Sequence, residues 1–217
     1  QAQSINELPV SDGVGTYAAA QSMIALVVGV EHELAAGRRL RVEAYHKRYH
    51  RPRPRYENLL NPYVLVPELK PDRIAITPTG ARARGIEATI SSATGRPLEW
   101  WLSHAWSRAE DRGSAGTTLR AWDQTLAFSG GISHRRGNWE WALALGIHSG
   151  WPTTTLRLAE PDPALVEPID ALGDTRVGSF MSIDARAARH FRFGTAGTLT
   201  AFIEIANLSN HRNECCI

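Results

Sequence analysis

The sequence lacks most of the features by which a function class is usually recognised. Its 217 residues include only two cysteines, Cys215 and Cys216, which are adjacent and nearly terminal. They cannot form a Cys-x-x-Cys site or a disulfide framework, and two thiols or a vicinal disulfide is the simple interpretation. The sequence has no G-x-S-x-G elbow, Walker loop or H-E-x-x-H motif. It therefore predicts neither an enzyme nor a bound metal or cofactor.

Long apolar runs and targeting signals are missing as well. The longest apolar run, 24–30, is far shorter than the ~20 residues of a membrane-spanning helix. The chain opens QAQSINELPVSDGVG, without an initiator Met or the basic and apolar regions of a signal peptide, so we expect an excised piece of a longer protein. The net charge of +2 is too balanced to favour nucleic acid as a partner.

What the sequence does contain is a regular alternation of apolar and polar residues. In WEWALALGIHSGW (139–151), every second residue is bulky and apolar, whereas those between are small or polar. Because side chains alternate across a β-strand, this stretch predicts a strand with one apolar face. Seven other stretches share the pattern: YAAAQSMIALVVGVEHEL, RRLRVEAYHK, ARGIEATISS, LEWWLSHAW, AWDQTLAFSGGI, FMSIDARAA and LTAFIEIANL. We therefore expect an all-β protein with about eight strands of roughly nine to twelve residues.

The links between these strands alternate between short and long. AAGRR, ATGRP, HRRGN and FGTAG are short, glycine-containing links of the hairpin type. Longer polar segments cover roughly 50–80, 108–118 and 150–178. In an antiparallel up-and-down meander, all short links then lie at one end of the sheet and all long links at the other. Outer-membrane β-barrels are built in this way.

Further features favour a membrane wall over a soluble β-sandwich, which shows the same alternation. The strands exceed the usual five or six residues of globular sheets and match a tilted strand that crosses the hydrocarbon core. Five tryptophans near the predicted strand ends suit an aromatic girdle at the lipid headgroups: Trp100, Trp106, Trp122, Trp139 and Trp151.

Ionisable side chains on the polar faces suit a wide, water-filled lumen. The candidates for a substrate path are Glu43, Glu87, Asp123, Asp184 and Arg186. Cross-strand ion pairs, or contacts with another domain, are the competing explanation for each of them.

The stretch AYHKRYHRPRPRY (44–56) contains two further motifs. His46 and His50 would lie roughly 13 Å apart on one face of a strand, too far to bind one metal ion. The run KRYHRPRPRY mixes basic and aromatic residues, as nucleic-acid sites do. Its place at a strand's exit into a long loop favours instead a solvated rim that touches lipopolysaccharide phosphates.

Five strings follow one another along the chain: ARARGIEATI, RAWDQTLAF, GWPTT, SIDARAARHF and FIEIANLSNHRN, the last followed by the cysteine pair. This ordered set resembles the C-terminal barrel portion of TonB-dependent outer-membrane receptors. RGIE and IEIANLSN are the most specific strings, and the likeness extends from about Tyr17 to the end of the chain.

The resemblance implies part of a barrel of about 22 strands that is filled by an N-terminal plug. Receptors of this family import scarce nutrients such as siderophore–iron chelates, cobalamin or oligosaccharides. Residues 1–217 would correspond to about a third of that barrel, with the plug, the early strands and the final strands absent. The implied location is the bacterial outer membrane. The implied partners are lipid, lipopolysaccharide, the plug domain and, through it, the TonB complex.

Two other functions are compatible with the same pattern. A soluble β-barrel or sandwich that binds a ligand would bury the alternating apolar face as its own core. A small complete membrane barrel of about eight strands would act as an adhesin or an anchor.

Overall fold

The alternating segments form long β-strands in the computed structural model of the chain. The structure describes residues 20–58, 61, 64, 66–70, 73–113, 116–158, 166–168 and 172–214. Its strands are, in chain order, β1 (Ser22–Leu34), β2 (Arg38–His50), β3 (Arg55–Asn58), β4 (Arg73–Ile76), β5 (Gly80–Ser91), β6 (Leu98–Gly113), β7 (Gly116–Leu119), β8 (Leu126–Arg136), β9 (Trp139–His148), β10 (Pro152–Thr153), β11 (Leu156–Leu158), β12 (Val166–Pro168), β13 (Thr175–Arg176), β14 (Phe180–Arg192) and β15 (Thr198–Ile205). The helical elements among these residues are single 3₁₀ turns at Ala35–Gly37, Pro67–Leu69 and Gly194–Ala196.

Eight long strands form one antiparallel sheet in the order β1-β2-β5-β6-β8-β9-β14-β15, and β7 pairs with the C-terminal end of β6. The strands that intervene in the chain form two-stranded hairpins, β3 with β4, β10 with β13 and β11 with β12. Within the described residues the edge strands β1 and β15 do not pair with each other, so the sheet is open. The predicted all-β, antiparallel up-and-down meander of eight long strands is confirmed.

The short and long links lie at opposite ends of this sheet. We call the end with the short links (35–37, 92–97, 137–138 and 193–197) the turn end, and the opposite end the loop end. One predicted loop, 108–118, was wrong, because β6 continues to Gly113 and pairs there with β7. Both faces of that extension carry charged residues, so hydrophobic alternation cannot reveal it.

The strand register gives the sheet one apolar and one polar face. Leu143, for example, is directly opposite Ile132 on one side and Ala185 on the other. The apolar face includes Leu26, Val42, Ile86, Leu102, Ile132, Leu143, Ile183 and Ile203. The polar face includes Glu43, Glu87, Ser103, Ser129, Asp184 and Glu204.

Burial in this chain is the reverse of that in a globular protein. Among the described residues, no valine, leucine, isoleucine, methionine or aromatic side chain is buried, and the buried alanines are Ala81 and Ala188, whereas the buried polar residues are Asn58, Glu110, Asp111 and Asp123. Each extensive contact between described elements joins sheet neighbours or lies within one loop hairpin. The sheet is therefore a single layer, and the described part of the chain provides no second layer to cover its apolar face.

Two aromatic side chains of the polar face cover glycines on the neighbouring strand. A Cβ atom on Gly85 would lie 2.7 Å from the ring of Tyr45, and one on Gly131 would lie 2.7 Å from Nε1 of Trp101. Aromatic–glycine pairs of this kind help to fix the register of a sheet. Trp101 therefore lies on the polar face, whereas its neighbour in the sequence, Trp100, lies on the apolar face.

Candidate functional site

Two of the predicted path residues form an acidic pair on the polar face. Glu43 on β2 is directly opposite Glu87 on β5, an arrangement of like charges that is unfavourable by itself. Arg41 partly compensates it, because its Nη2 lies 2.8 Å from Oε1 of Glu43. Glu87 is exposed and makes no ion pair within the described residues.

The next two predicted residues lie further along the polar face on β14. Arg186 forms a cross-strand ion pair with Glu204 (2.9 Å). Asp184 accepts hydrogen bonds from Oγ of Ser182 (2.7 Å) and from the backbone N–H of Asn207 (2.8 Å). Both therefore have structural partners in the sheet, and their assignment to a substrate path stays a prediction.

Asp123 is not where the sequence placed it. The chain turns at Trp122, whose φ is +68°, and β8 begins only at Leu126. Asp123 is buried and accepts hydrogen bonds from Nη2 of Arg176 (2.6 Å) and from the backbone N–H of Ala109 (2.7 Å). Its carboxylate therefore anchors the β10–β13 hairpin to β6, and the predicted strand position was wrong.

The five predicted girdle tryptophans divide into two groups. Trp100, Trp106 and Trp139 lie on the apolar face, where their role at a lipid interface stays a prediction. Trp122 and Trp151 lie outside the strands and contact each other edge to face, with ring centroids 4.3 Å apart. Trp151 also stacks on His148, a polar-face residue. These two tryptophans therefore belong to an aromatic cluster at the loop end, and their role at a lipid interface stays a prediction as well.

A buried ion-pair network joins the β3–β4 hairpin to the sheet. The carboxylate of Asp111, a residue only 1% exposed, accepts hydrogen bonds from Nε of Arg55 (2.8 Å) and Nε of Arg120 (3.0 Å). Arg55 also pairs with Glu57. Burial by itself would lower the pKa of Arg55, but the carboxylates of Glu57 and Asp111 outweigh it and raise that pKa. The guanidinium therefore stays charged and holds the hairpin in place.

A cavity of about 310 Å³ adjoins this network at the loop end. Its walls include aromatic rings, amides, hydroxyls, two guanidiniums and a carboxylate, from Tyr56, Trp122, Asn58, Asn61, Thr153, Thr154, Arg55, Arg120 and Glu57. Such a lining can bind a small polar molecule by hydrogen bonds and by stacking. The sequence does not reveal this site, because the partners Arg55 and Asp111 are 56 positions apart.

Three further features raised by the sequence are metal sites, membrane-spanning helices and the cysteine pair. Within these residues, no group of three or more His, Cys, Asp or Glu side chains could hold a metal ion. None of the described helices is long and apolar enough to span a membrane. Cys215 and Cys216 lie outside the described residues.

Comparisons with known proteins do not assign the chain to a family. No protein-family model matches the sequence, and no curated protein matches it.

Proposed function

We propose that this chain forms part of the wall of a bacterial outer-membrane receptor of the TonB-dependent class, which takes up a scarce nutrient. The observation that supports the proposal is the exposed apolar face of a single-layered sheet. Lipid acyl chains would form the second layer that the described chain does not provide. The polar face would line a water-filled lumen, as in other outer-membrane barrels.

The free-energy cost of leaving these apolar side chains in water argues against a soluble protein. Val28, Leu143 and Ile203 are 62%, 49% and 71% exposed on the apolar face. Burying one such side chain is worth about 1.5–3 kcal/mol, so five on a strand amount to about 10 kcal/mol. Lipid supplies this stabilisation directly. A soluble sandwich would need a second apolar layer.

The arginines of the apolar face also match a membrane. They occur only near its two ends, at Arg48, Arg82, Arg84, Arg108 and Arg112 toward the loop end and at Arg38, Arg136 and Arg189 toward the turn end. On β2, Arg38 is eight positions from His46, which lies opposite Arg84, and ten positions from Arg48, or about 26–33 Å along the strand. At a tilt of about 40° these spacings are about 20–25 Å, close to the height of about 25 Å of the apolar band of a membrane barrel.

The polar face and the loop-end cavity would form the substrate path. Glu43 and Glu87 lie at mid-sheet, and the cavity lined by Trp122 and Arg120 lies at the loop end. A plug domain elsewhere in the protein would link the receptor to the TonB complex. A complete small barrel acting as an adhesin is less well supported, because it requires pairing of β1 with β15, which the described residues do not make.

Tryptophan fluorescence tests the membrane location. Two variants of the chain would each keep one tryptophan, Trp141 of the apolar face or Trp101 of the polar face, with phenylalanine at the other tryptophan positions. In vesicles with brominated acyl chains, we expect strong quenching of Trp141 and little quenching of Trp101. Equal quenching of the two, or none, would contradict a sheet with one face in lipid.

Uptake assays test the transport step. Cells that have and cells that lack the gene would be compared for accumulation of labelled ferric siderophores, cobalamin and oligosaccharides. We expect loss of uptake for one of these classes in the deletion strain, and the same loss in wild-type cells treated with a protonophore. Unchanged uptake of all three classes would count against a receptor for nutrients of this kind.

A further inference from the structure

The apolar face ends at the loop end in a groove lined by basic side chains. The register of β2, β5 and β6 continues beyond Ile86 and Trp106 into rows of charged residues on the same face. The groove has a volume of about 410 Å³, and its lining includes His46, Arg48, His50, Arg82, Glu110 and Arg112. We call these six residues the basic groove.

A buried carboxylate organises this region. Glu110 is only 3% exposed, and it lies on the same face of the sheet as Ile86 and Trp106, the apolar face. It accepts hydrogen bonds from Nε of Arg82 and from Nε of Arg108, the latter at 2.6 Å. These two guanidinium groups are therefore held in place before any ligand binds.

The region carries a large excess of positive charge. At the loop end of these three strands, five arginines (Arg48, Arg82, Arg84, Arg108 and Arg112) share the face with one carboxylate, that of Glu110. Arg48 and Arg112 make no ion pair within the described part of the chain. Guanidinium groups bind phosphate with strong, often bidentate hydrogen bonds. The excess charge therefore favours a phosphorylated ligand.

The apolar surface next to the groove indicates whether the phosphate belongs to a lipid or to a free anion. Ile86 is four positions from Arg82 on the same face of β5, or about 13 Å away along the strand. It is 49% exposed, and Trp106 lies directly opposite it. A free anion would use only the arginines, whereas a phosphorylated lipid would also cover this apolar surface.

We propose that the basic groove binds the phosphorylated headgroup of a membrane lipid, whose acyl chains cover Ile86 and Trp106. The inference rests on the proposed membrane location and adds to it the partner and the residues that bind it. Arg48 and Arg112 supply charge that no carboxylate among the described residues pairs with. Arg82, held by Glu110, supplies a guanidinium of fixed orientation.

Lipid binding can be measured with the full chain in phosphatidylcholine bilayers. The probe is lipid A, a bisphosphorylated glycolipid, and its dephosphorylated form is the comparison. The test variant is Arg48→Gln with Arg112→Gln, which leaves the Arg82–Glu110–Arg108 contacts intact. The control is Arg136→Gln with Arg189→Gln, which removes the same charge from the same face at the turn end.

The expected result is specific to the groove and to phosphate. Each cation near an anionic membrane surface contributes about fivefold to binding, so the test variant should bind lipid A roughly 30-fold more weakly. The control should bind like the wild type, and dephosphorylated lipid A should bind weakly to all three proteins. An equal loss in both variants, or binding that does not depend on the lipid phosphates, would overturn the proposal.

Two further outcomes separate possible causes of failure. Full displacement of lipid A by millimolar inorganic phosphate would identify a free-anion site and overturn the assignment to a lipid. If Trp141 is quenched by brominated acyl chains but the groove variant binds lipid A normally, only the present inference is wrong. If Trp141 is not quenched, the membrane location itself is wrong.

Discussion

Replacing Leu143 by arginine should destabilise the sheet in a lipid bilayer by about 2–4 kcal/mol, or roughly 30- to 800-fold in the unfolding equilibrium. Leu143 lies in the middle of β9 on the apolar face, opposite Ile132 and Ala185. A guanidinium there would have to lie in hydrocarbon, far from both basic ends of the face. The measurement is urea unfolding of the full chain in phosphatidylcholine vesicles, followed by circular dichroism.

The adjacent residue provides a matched control. Ala144 lies on the polar face of the same strand, directly opposite Asp184. An arginine at this position meets water and a carboxylate, so Ala144→Arg should change the free energy of unfolding by less than about 1 kcal/mol.

Without detergent, we expect the wild-type chain to aggregate through its apolar face and its two unpaired edge strands. A monodisperse wild-type chain in plain buffer would contradict the membrane proposal.

Replacing Asp111 by alanine should release the β3–β4 hairpin from the sheet. Asp111 is 1% exposed, and its loss would leave the partly buried guanidinium of Arg120 without this carboxylate and Arg55 with Glu57 alone. Removing one partner of a buried ion pair costs about 3–5 kcal/mol. At the lower figure, we expect local opening of the hairpin to become roughly 150-fold more frequent.

Trypsin can report this opening at the two cleavable bonds of the hairpin. Arg51 and Arg53 each precede a proline and resist trypsin, whereas the Arg55–Tyr56 and Arg73–Ile74 bonds can be cut once the hairpin opens. Cleavage at these bonds should therefore be much faster in Asp111→Ala, because proteolysis of an open form follows its population. The control, Glu204→Ala, removes a partner of the exposed Arg186–Glu204 pair. Such pairs are worth about 0–1 kcal/mol, and equal cleavage rates in the two variants would refute the anchoring role of Asp111.

Sequence patterns were enough to predict those parts of the structure that depend only on residues close together in the chain. WEWALALGIHSGW predicted both the strand β9 and the face on which Trp139 and Leu143 lie, because the direction of a side chain follows from its position in an extended backbone. The short links were predicted for a similar reason, since glycine-containing turns have local signatures. The same approach failed at 108–113, where both faces of β6 are polar and the alternation carries no hydrophobic signal.

The candidate sites were much less predictable. Glu43, Glu87, Asp184 and Arg186 were correctly placed on the polar face, but their neighbours depend on the strand register. Asp123 was expected in a strand, yet the turn at Trp122 carries it to Arg176, 53 positions further along the chain. The basic groove was not expected as a unit either, since it brings together three strands of the sheet.

The sequence by itself therefore determined that this chain forms an antiparallel sheet with one apolar face, because the alternation of side chains is a property of each strand alone. The tertiary structure decided which charged groups meet. Asp111 meets Arg55, 56 positions away, and Glu110 meets Arg82, 28 positions away, only because folding aligns the strands in one register and brings the long loops back onto the sheet. Partners so far apart in the chain leave no local pattern, whereas a strand that separates apolar from polar side chains leaves one in every few residues.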